Sequence, residues 1–335
     1  MNHIELKGTH RQAGQQLGTL LWEQGVSILE QLPFAITSER MEYAEACIPI
    51  YQTCYPEILA ELEGLAEGQR CDVHLLQAVL FSTYAMPPSC NCSCFAVTGH
   101  EILFGRNSDF LTALEQANTN VLYRLSDGAY ALNGNTTSFL QMEDGVNQYG
   151  LAAGLTSVYP MVRKAGFNAG LLVRYVLEKC RTVSEALRCL EQLPTGSAQT
   201  ITLADATGDL AVVESDAEHL AVIRPEQKDR AFVCATNVFH SAAMQSQQLP
   251  EEDNWFAETR YQTMLRALSS QANDWTLSFA KSLLSGGYGF ICQYDRSSGK
   301  DTVWSVVYDL GRRSIYRSEG NPARCGYRQD TRPLR

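Results

Sequence analysis

A chain of 335 residues, 45% hydrophobic and only 19% charged, has material for a large core and too little charge for extensive disorder. Its formal net charge of -10, with no block of Lys or Arg, argues against nucleic acid as a partner. The opening Met1-Asn2-His3-Ile4-Glu5-Leu6 is not a basic segment leading into an apolar one, and no run approaches ~18 apolar residues. Neither a signal peptide nor a membrane span is therefore expected, and a cytoplasmic location is.

Residues 10–85 read as helical. Ala13-Gly14-Gln15-Gln16-Leu17-Gly18 opens an amphipathic stretch running to Leu32, and residues 48–65 carry Ile58, Leu62 and Leu65 at helical spacing. After Pro87-Pro88 the pattern changes to short alternating strands at 121–125, 150–158, 201–204, 210–214, 232–235 and 303–308, the last paired with 314–317 through Gly311. Between them lie helices at 171–179, 184–193 and 258–268. Thr182 and Glu185 have capping-box spacing, and Asp274 is expected to cap a further helix over 275–284. Strands grouped around paired central helices indicate an α+β fold. The cysteines number 11, an odd count scattered over a long chain, which suits reduced buried thiols better than a disulfide framework.

The chemistry concentrates in one hairpin. Cys90-Asn91-Cys92-Ser93-Cys94-Phe95-Ala96-Val97 is followed by a turn at Gly99-His100 and then by Gly105-Arg106-Asn107-Ser108-Asp109-Phe110. A two-residue turn pairs Thr98 with Glu101 and sets Cys92 opposite Asn107. Alternation then puts Cys92, Cys94, Asn107 and Asp109 on one face, with Phe95 and Val97 on the other. Arg106 falls off the Cys92 face unless the strand bulges or ends near Asn107. Three readings of Cys90, Cys92 and Cys94 remain: metal ligands, thiols packed under a helix, or a nucleophile with its neighbours. Metal is disfavoured because structural zinc takes four ligands with wider spacing, and the six histidines show no ligand pattern. The nucleophile is favoured, since a merely structural hairpin gains nothing by ending in Arg-Asn-Ser-Asp.

Cys92-Ser93, the alternating hairpin and Gly105-Arg106-Asn107-Ser108-Asp109-Phe110 together resemble the start of the mature chain in N-terminal-nucleophile linear amide hydrolases. That group includes choloylglycine hydrolases, penicillin V acylases and the isopenicillin-N acyltransferase family. Leu6-Lys7-Gly8-Thr9 with Gly14 and Gly18 is similar to the acyltransferase pro-region. Asn147 through Gly154, then Leu203-Ala204-Asp205-Ala206-Thr207-Gly208 with Val213-Glu214, resemble its central strands. Thr236-Asn237, Thr259-Arg260-Tyr261 and the closing Trp304 through Leu310, ending at Gly320-Asn321-Pro322, follow in the family's order. About ninety residues precede Cys92, which favours the acyltransferase branch. Thr156 follows Ala153-Gly154-Leu155 where choloylglycine relatives commonly carry asparagine, and Asn91 stands where acyltransferase relatives have glycine.

The resemblance implies a four-layer αββα sandwich, with residues 1–91 as a helical pro-region and 92–335 as the catalytic domain. It also implies self-cleavage between Asn91 and Cys92. Cys92 would then attack a small N-acyl amide with its own α-amine as base, forming a thioester. Asn237 would donate to the oxyanion, Asp109 would hold the α-ammonium group, and Arg106 and Arg260 would orient the site or the substrate. Each has a plainer alternative: a turn cap for Asp109, a turn residue for Asn237, a solvated helix face for Arg260. No cofactor or metal is implied. The expected partners are the small-molecule substrate and the cleaved pro-region as a subunit, with homo-oligomerisation left open. The alternatives are a choloylglycine-type hydrolase of conjugated amides and a non-catalytic scaffold with packed or metal-binding cysteines.

Overall fold

Thr9 turns the chain from strand to helix at the N-terminus. Its side chain accepts the Gln12 N–H while Gln12 returns a bond to the Thr9 N–H, so β1 (Asn2–Gly8) passes directly into a boxed α1 (His10–Glu23). The computed structural model describes residues 1–335 except 87–90, 226–229, 250–253, 271, 273 and 335, so Cys90 lies outside the described residues. The helical expectation for 48–65 resolves into two helices, α2 (Ser38–Cys54) and α3 (Pro56–Gln69). Pro56 has no N–H to continue α2 and forces Tyr55 into an extended φ of -151°, which breaks the run. The helix α4 (Val73–Ser82) completes the group. α1 and α3 touch backbone to backbone: a Cβ at Gly14 would sit 1.9 Å from the Glu61 carbonyl oxygen, and one at Gly64 would sit 2.0 Å from that of Arg11.

The remaining chain runs β2 (Asn91–Thr98), β3 (Leu103–Leu111), β4 (Thr119–Leu125), β5 (Leu132–Thr136), β6 (Asp144–Asn147) and β7 (Ala152–Val158). It continues through α5 (Ala169–Lys179), α6 (Val183–Gln192), β8 (Ala198–Ala204), β9 (Leu210–Ser215), β10 (Leu220–Ile223) and β11 (Ala231–Ala235). Last come α7 (Ala257–Ser269), α8 (Leu277–Leu284), β12 (Lys300–Asp309), β13 (Ser314–Ser318) and β14 (Arg328–Asp330). One sheet has the order β1-β4-β5-β6-β7-β8-β9-β10 and the other β11-β2-β3-β12-β13-β14. β1, where no strand was expected, pairs in parallel with β4 at the edge of the first sheet. The N-terminal region is thus joined to that sheet by backbone hydrogen bonds as well as by its helices.

Three apolar layers define the architecture. Cys94, Ala96 and Phe104 meet Ala152 and Val212 between the sheets. Phe95, Val97 and Leu103 face the opposite way, against Met264 and Leu268 of α7 and Leu283 of α8. On the far side, Val121, Ala153 and Ile201 pack against Leu62, Leu172 and Val176. Helices, sheet, sheet and helices therefore stack in the expected αββα order, each strand supplying one face to the central layer. Local signals mostly hold. Thr182 accepts the Glu185 N–H at the start of α6, whereas α8 is capped by Thr276, not by Asp274.

The hairpin register differs from expectation by one residue. Val97 pairs with Leu103, leaving a connection longer than the expected Gly99-His100 turn, so Cys92 lies opposite Ser108 and Cys94 opposite Arg106. A one-residue shift moves every β3 side chain to the other face. Arg106 consequently shares the central layer with Cys92, while Asn107 and Asp109 turn toward α7 and α8. No helix among the described residues is long and apolar enough to cross a membrane.

Candidate active site

Cys92 stands at the start of β2 with its side chain fully buried between the sheets. The guanidinium of Arg106 reaches it across the hairpin: Nη2 donates to Cys92 Sγ at 2.7 Å. Three further bonds fix that cation, from Nε to the Leu155 carbonyl at 3.0 Å, Nη1 to Asp144 Oδ2 at 2.9 Å and Nη2 to Glu143 Oε2 at 3.2 Å. The carboxylates are themselves held. Ser108 and Thr137 donate to Glu143, while Trp304, Asn135 and Tyr308 donate to Asp144. Gly154 makes room for this packing, since a Cβ there would lie 2.8 Å from Phe104 Cζ and 3.1 Å from Arg106 Cδ.

The backbone of Cys92 is held from the other side. Its N–H donates to Asn237 Oδ1 at 2.8 Å, just beyond β11, and Asn237 Nδ2 donates to the Ser157 carbonyl at 2.7 Å. Arg260 of α7 donates through Nη1 to the Cys92 carbonyl and to Ser93 Oγ, and through Nη2 to Asn237 Oδ1 at 2.9 Å. A solvated role for Arg260 does not survive this geometry: it is fully buried, although its neighbour Glu258 is exposed. The residue points inward because it lies on the same face of α7 as Thr263 and Met264.

Asp109 lies across the ladder from Asn91, on the face opposite the Cys92 side chain. Its carboxylate is 3.5 Å from Arg260 Nη1, accepts Thr302 Oγ1–H at 2.5 Å and accepts the Tyr294 hydroxyl at 3.0 Å. Burial raises its carboxyl to about 6, although the neighbouring cation and both hydroxyls oppose that shift. Cys92, Arg106, Asn237, Arg260 and Asp109 therefore form one connected polar cluster, and Asn91 joins it through the backbone.

Cys94, the nearest described alternative sulfur, faces the same layer, but burial pushes its thiol up to about 12. Among the described residues, a group with ligand atoms close enough to share a metal is His10, Glu61 and Glu178, which belongs to the helical layer and includes neither Cys92 nor Cys94. Sequence reasoning missed Glu143, Asp144, Tyr294 and Thr302. The adjacent acids of Glu143-Asp144-Gly145 are the one local signal that pointed to the first two.

Chemically, the cluster places positive charge beside a sulfur, and puts a side-chain amide and a second cation on the peptide unit that carries it. Such an arrangement suits a thiolate nucleophile and the developing oxyanion of acyl transfer. The model of the acyl-coenzyme A:6-aminopenicillanic acid acyl-transferase family matches residues 97–324. No curated protein matches the chain. Solved structures similar to it include the N-acylethanolamine-hydrolyzing acid amidase ortholog of Caenorhabditis elegans, at 16% identity and a TM-score of 0.48, covering 66% of this chain and 93% of that one. Penicillin V acylase from Agrobacterium tumefaciens gives 16% identity and a TM-score of 0.40 over 68% of this chain and 83% of that one. Conjugated bile acid hydrolase from Clostridium perfringens gives 14% identity and a TM-score of 0.47 over 72% and 97%.

Proposed function

The chain belongs to the acyl-coenzyme A:6-aminopenicillanic acid acyl-transferase family, whose members act on linear amide C–N bonds, and from that premise we propose a self-processing cysteine amidohydrolase or acyltransferase. The observation that carries the reading is the pair of bonds on Cys92: Arg106 on the sulfur and Asn237 on the backbone N–H. In the first reaction Cys92 Sγ attacks the Asn91 carbonyl carbon, the peptide C–N bond breaks, and water hydrolyses the resulting thioester. The products are a carboxylate on Asn91 and a free α-amine on Cys92.

That amine has a reference pKa of ~7.7–8.0, so near neutral pH it can take the thiol proton as the sulfur attacks a substrate amide. The amine leaving group departs with a proton, and water or another amine accepts the acyl group from Cys92. Asn237 Oδ1 already accepts from the Cys92 nitrogen, which supports its holding the new amine; donation from Nδ2 to an oxyanion requires exchange of its bond to Ser157. Arg106 keeps the sulfur oriented, and Arg260 links the Cys92 carbonyl to Asn237 and Asp109. After cleavage, residues 1–91 stay bound as a subunit, a reading supported by the β1–β4 pairing and the buried Glu61–Arg174 ion pair.

The substrate is a small N-acyl amide. Conjugated bile salts are the weaker choice, because Thr156 is occupied in the core, donating to the Thr236 carbonyl at 2.5 Å and lying 2.7 Å from Thr200 Oγ1. Intact-mass measurement tests processing: two fragments dividing before Cys92, replaced by one chain in Cys92→Ala, support it. A single chain in both proteins rejects it.

A further inference from the structure

The helical layer holds a second group of thiols that the proposed chemistry does not use. Cys180 ends α5 and Cys189 lies on α6, and the Cys180 thiol donates to Cys189 Sγ at 3.5 Å. Cys180 is buried, Cys189 is partly exposed, and the two are separated by a short connection into α6. The Cys180 S–H bond lowers the Cys189 thiol below its usual value, burial works against that, and the Arg188 charge adds to the lowering. Cys54, at the end of α2, is also partly exposed and lies close enough to act on the same phenol, Tyr175, as Cys180 and Cys189 do.

We propose that Cys180 and Cys189 form a peroxide-oxidisable dithiol, with Cys189 the attacking sulfur and Cys180 the resolving one. The assignment follows from contact and access. Cys189 meets solvent while Cys180 is buried, so a hydroperoxide reaches Cys189, whose thiolate attacks the peroxide oxygen. The O–O bond breaks, Cys189 becomes a sulfenic acid and water or an alcohol leaves. Cys180 sulfur then attacks the Cys189 sulfur, the S–O bond breaks, a second water leaves and the disulfide forms. Two thiols lose two electrons and two protons to one peroxide, which balances the step. The sulfurs need only close from a contact already made. The product would staple the end of α5 to α6. The α5 end is also where the Leu177 and Cys180 carbonyls accept Asn147 Nδ2.

The test uses the full chain treated with hydrogen peroxide, quenched with iodoacetamide and digested without reduction. The expected product is a peptide pair joined through Cys180 and Cys189, with loss of alkylation at both. Cys180→Ser should leave Cys189 as a sulfenic acid trapped by dimedone, and Cys189→Ser should leave Cys180 as a reduced thiol. A joined pair through Cys54 instead overturns the assignment of the resolving residue. Oxidation at Cys92 or the exposed Cys325 with Cys180 and Cys189 still alkylated overturns the proposal altogether. The readout is independent of amide cleavage, so it stands apart from the fate of the proposed function.

Discussion

Of the fully buried arginines, Arg174 and Arg106 each sit between two acids, and they do different things. Arg174 in the helical layer pairs with Glu61 and Glu178, lies 3.6 Å from the centre of the Tyr123 ring and donates to the Leu140 carbonyl. Burial works against ionisation of Glu178, yet the Arg174 charge and the bond from His10 hold its carboxyl down at about 2. The Glu61–Arg174 pair and the His10–Glu178 pair join the N-terminal helices to α5, as a pin would. Arg106 is equally buried and equally flanked by acids, but one of its bonds ends on a sulfur whose backbone nitrogen is held by Asn237. Burial of charge alone is therefore no marker of catalysis. The distinguishing feature is a sulfur within the cluster whose own peptide unit is hydrogen-bonded by Asn237 and Arg260.

The largest expected effect separates the two clusters by chemistry. Cys92→Ala should yield an unprocessed, inactive chain, a loss on the order of 10⁶-fold for removal of a nucleophile, with thermal unfolding close to that of the unprocessed parent. Arg174→Met should do the reverse. Leaving Glu61 and Glu178 without their cation costs roughly 3–5 kcal/mol of stability, measured by denaturant unfolding, while the folded fraction still processes at Cys92. If Arg174→Met instead abolished processing without destabilising the chain, the contrast between pin and site would fail.

How much of this was legible in the sequence depended on which residues carried the signal. Alternation of Phe95 and Val97 with Cys94 and Ala96 grouped the side chains of β2 correctly, because the strand period of two runs unbroken from Cys92 to Val97. The face of β3 was not legible. Its polar run Arg106-Asn107-Ser108-Asp109 has no apolar period to fix it, so the longer turn decided register and Arg106 took the place expected of Asp109. β5 and β6 were missed for a related reason. Leu132-Asn133-Gly134-Asn135-Thr136 and Asp144-Gly145-Val146-Asn147 have turn-like composition, yet they are buried as polar strands whose side chains bond to one another, to Tyr308 and to Arg317. Arg260 could be placed only by its order within the family pattern, since a helical charge beside Glu258 looks solvated.

A smaller change should sharpen the account of the site itself. In protein that has already processed, Asn237→Ala is expected to raise the barrier of the chemical step by about 2.7–4 kcal/mol, read as a fall in kcat with little change in KM. A pure KM effect would make Asn237 a substrate-binding residue instead.

The smallest and most specific expectation concerns pH. Asp109 is raised to about 6 from its ordinary 3.8, so its protonated form favours the native state. That contribution is complete below about pH 4 and is lost as pH rises through about 6. Activity should run the other way, rising through the same window as the carboxylate forms to hold Arg260, which bonds the Cys92 carbonyl and Asn237. Asp109→Asn should remove the dependence of stability on pH in that window and lower activity at every pH. An unchanged activity profile in Asp109→Asn would detach Asp109 from the chemistry.

N-terminal sequencing of the purified protein tests the central claim most directly. The account predicts a second terminus beginning Cys-Ser-Cys-Phe, generated at Cys92 and absent from Cys92→Ala. Active protein carrying only the original terminus, with the Asn91–Cys92 bond intact, would contradict it.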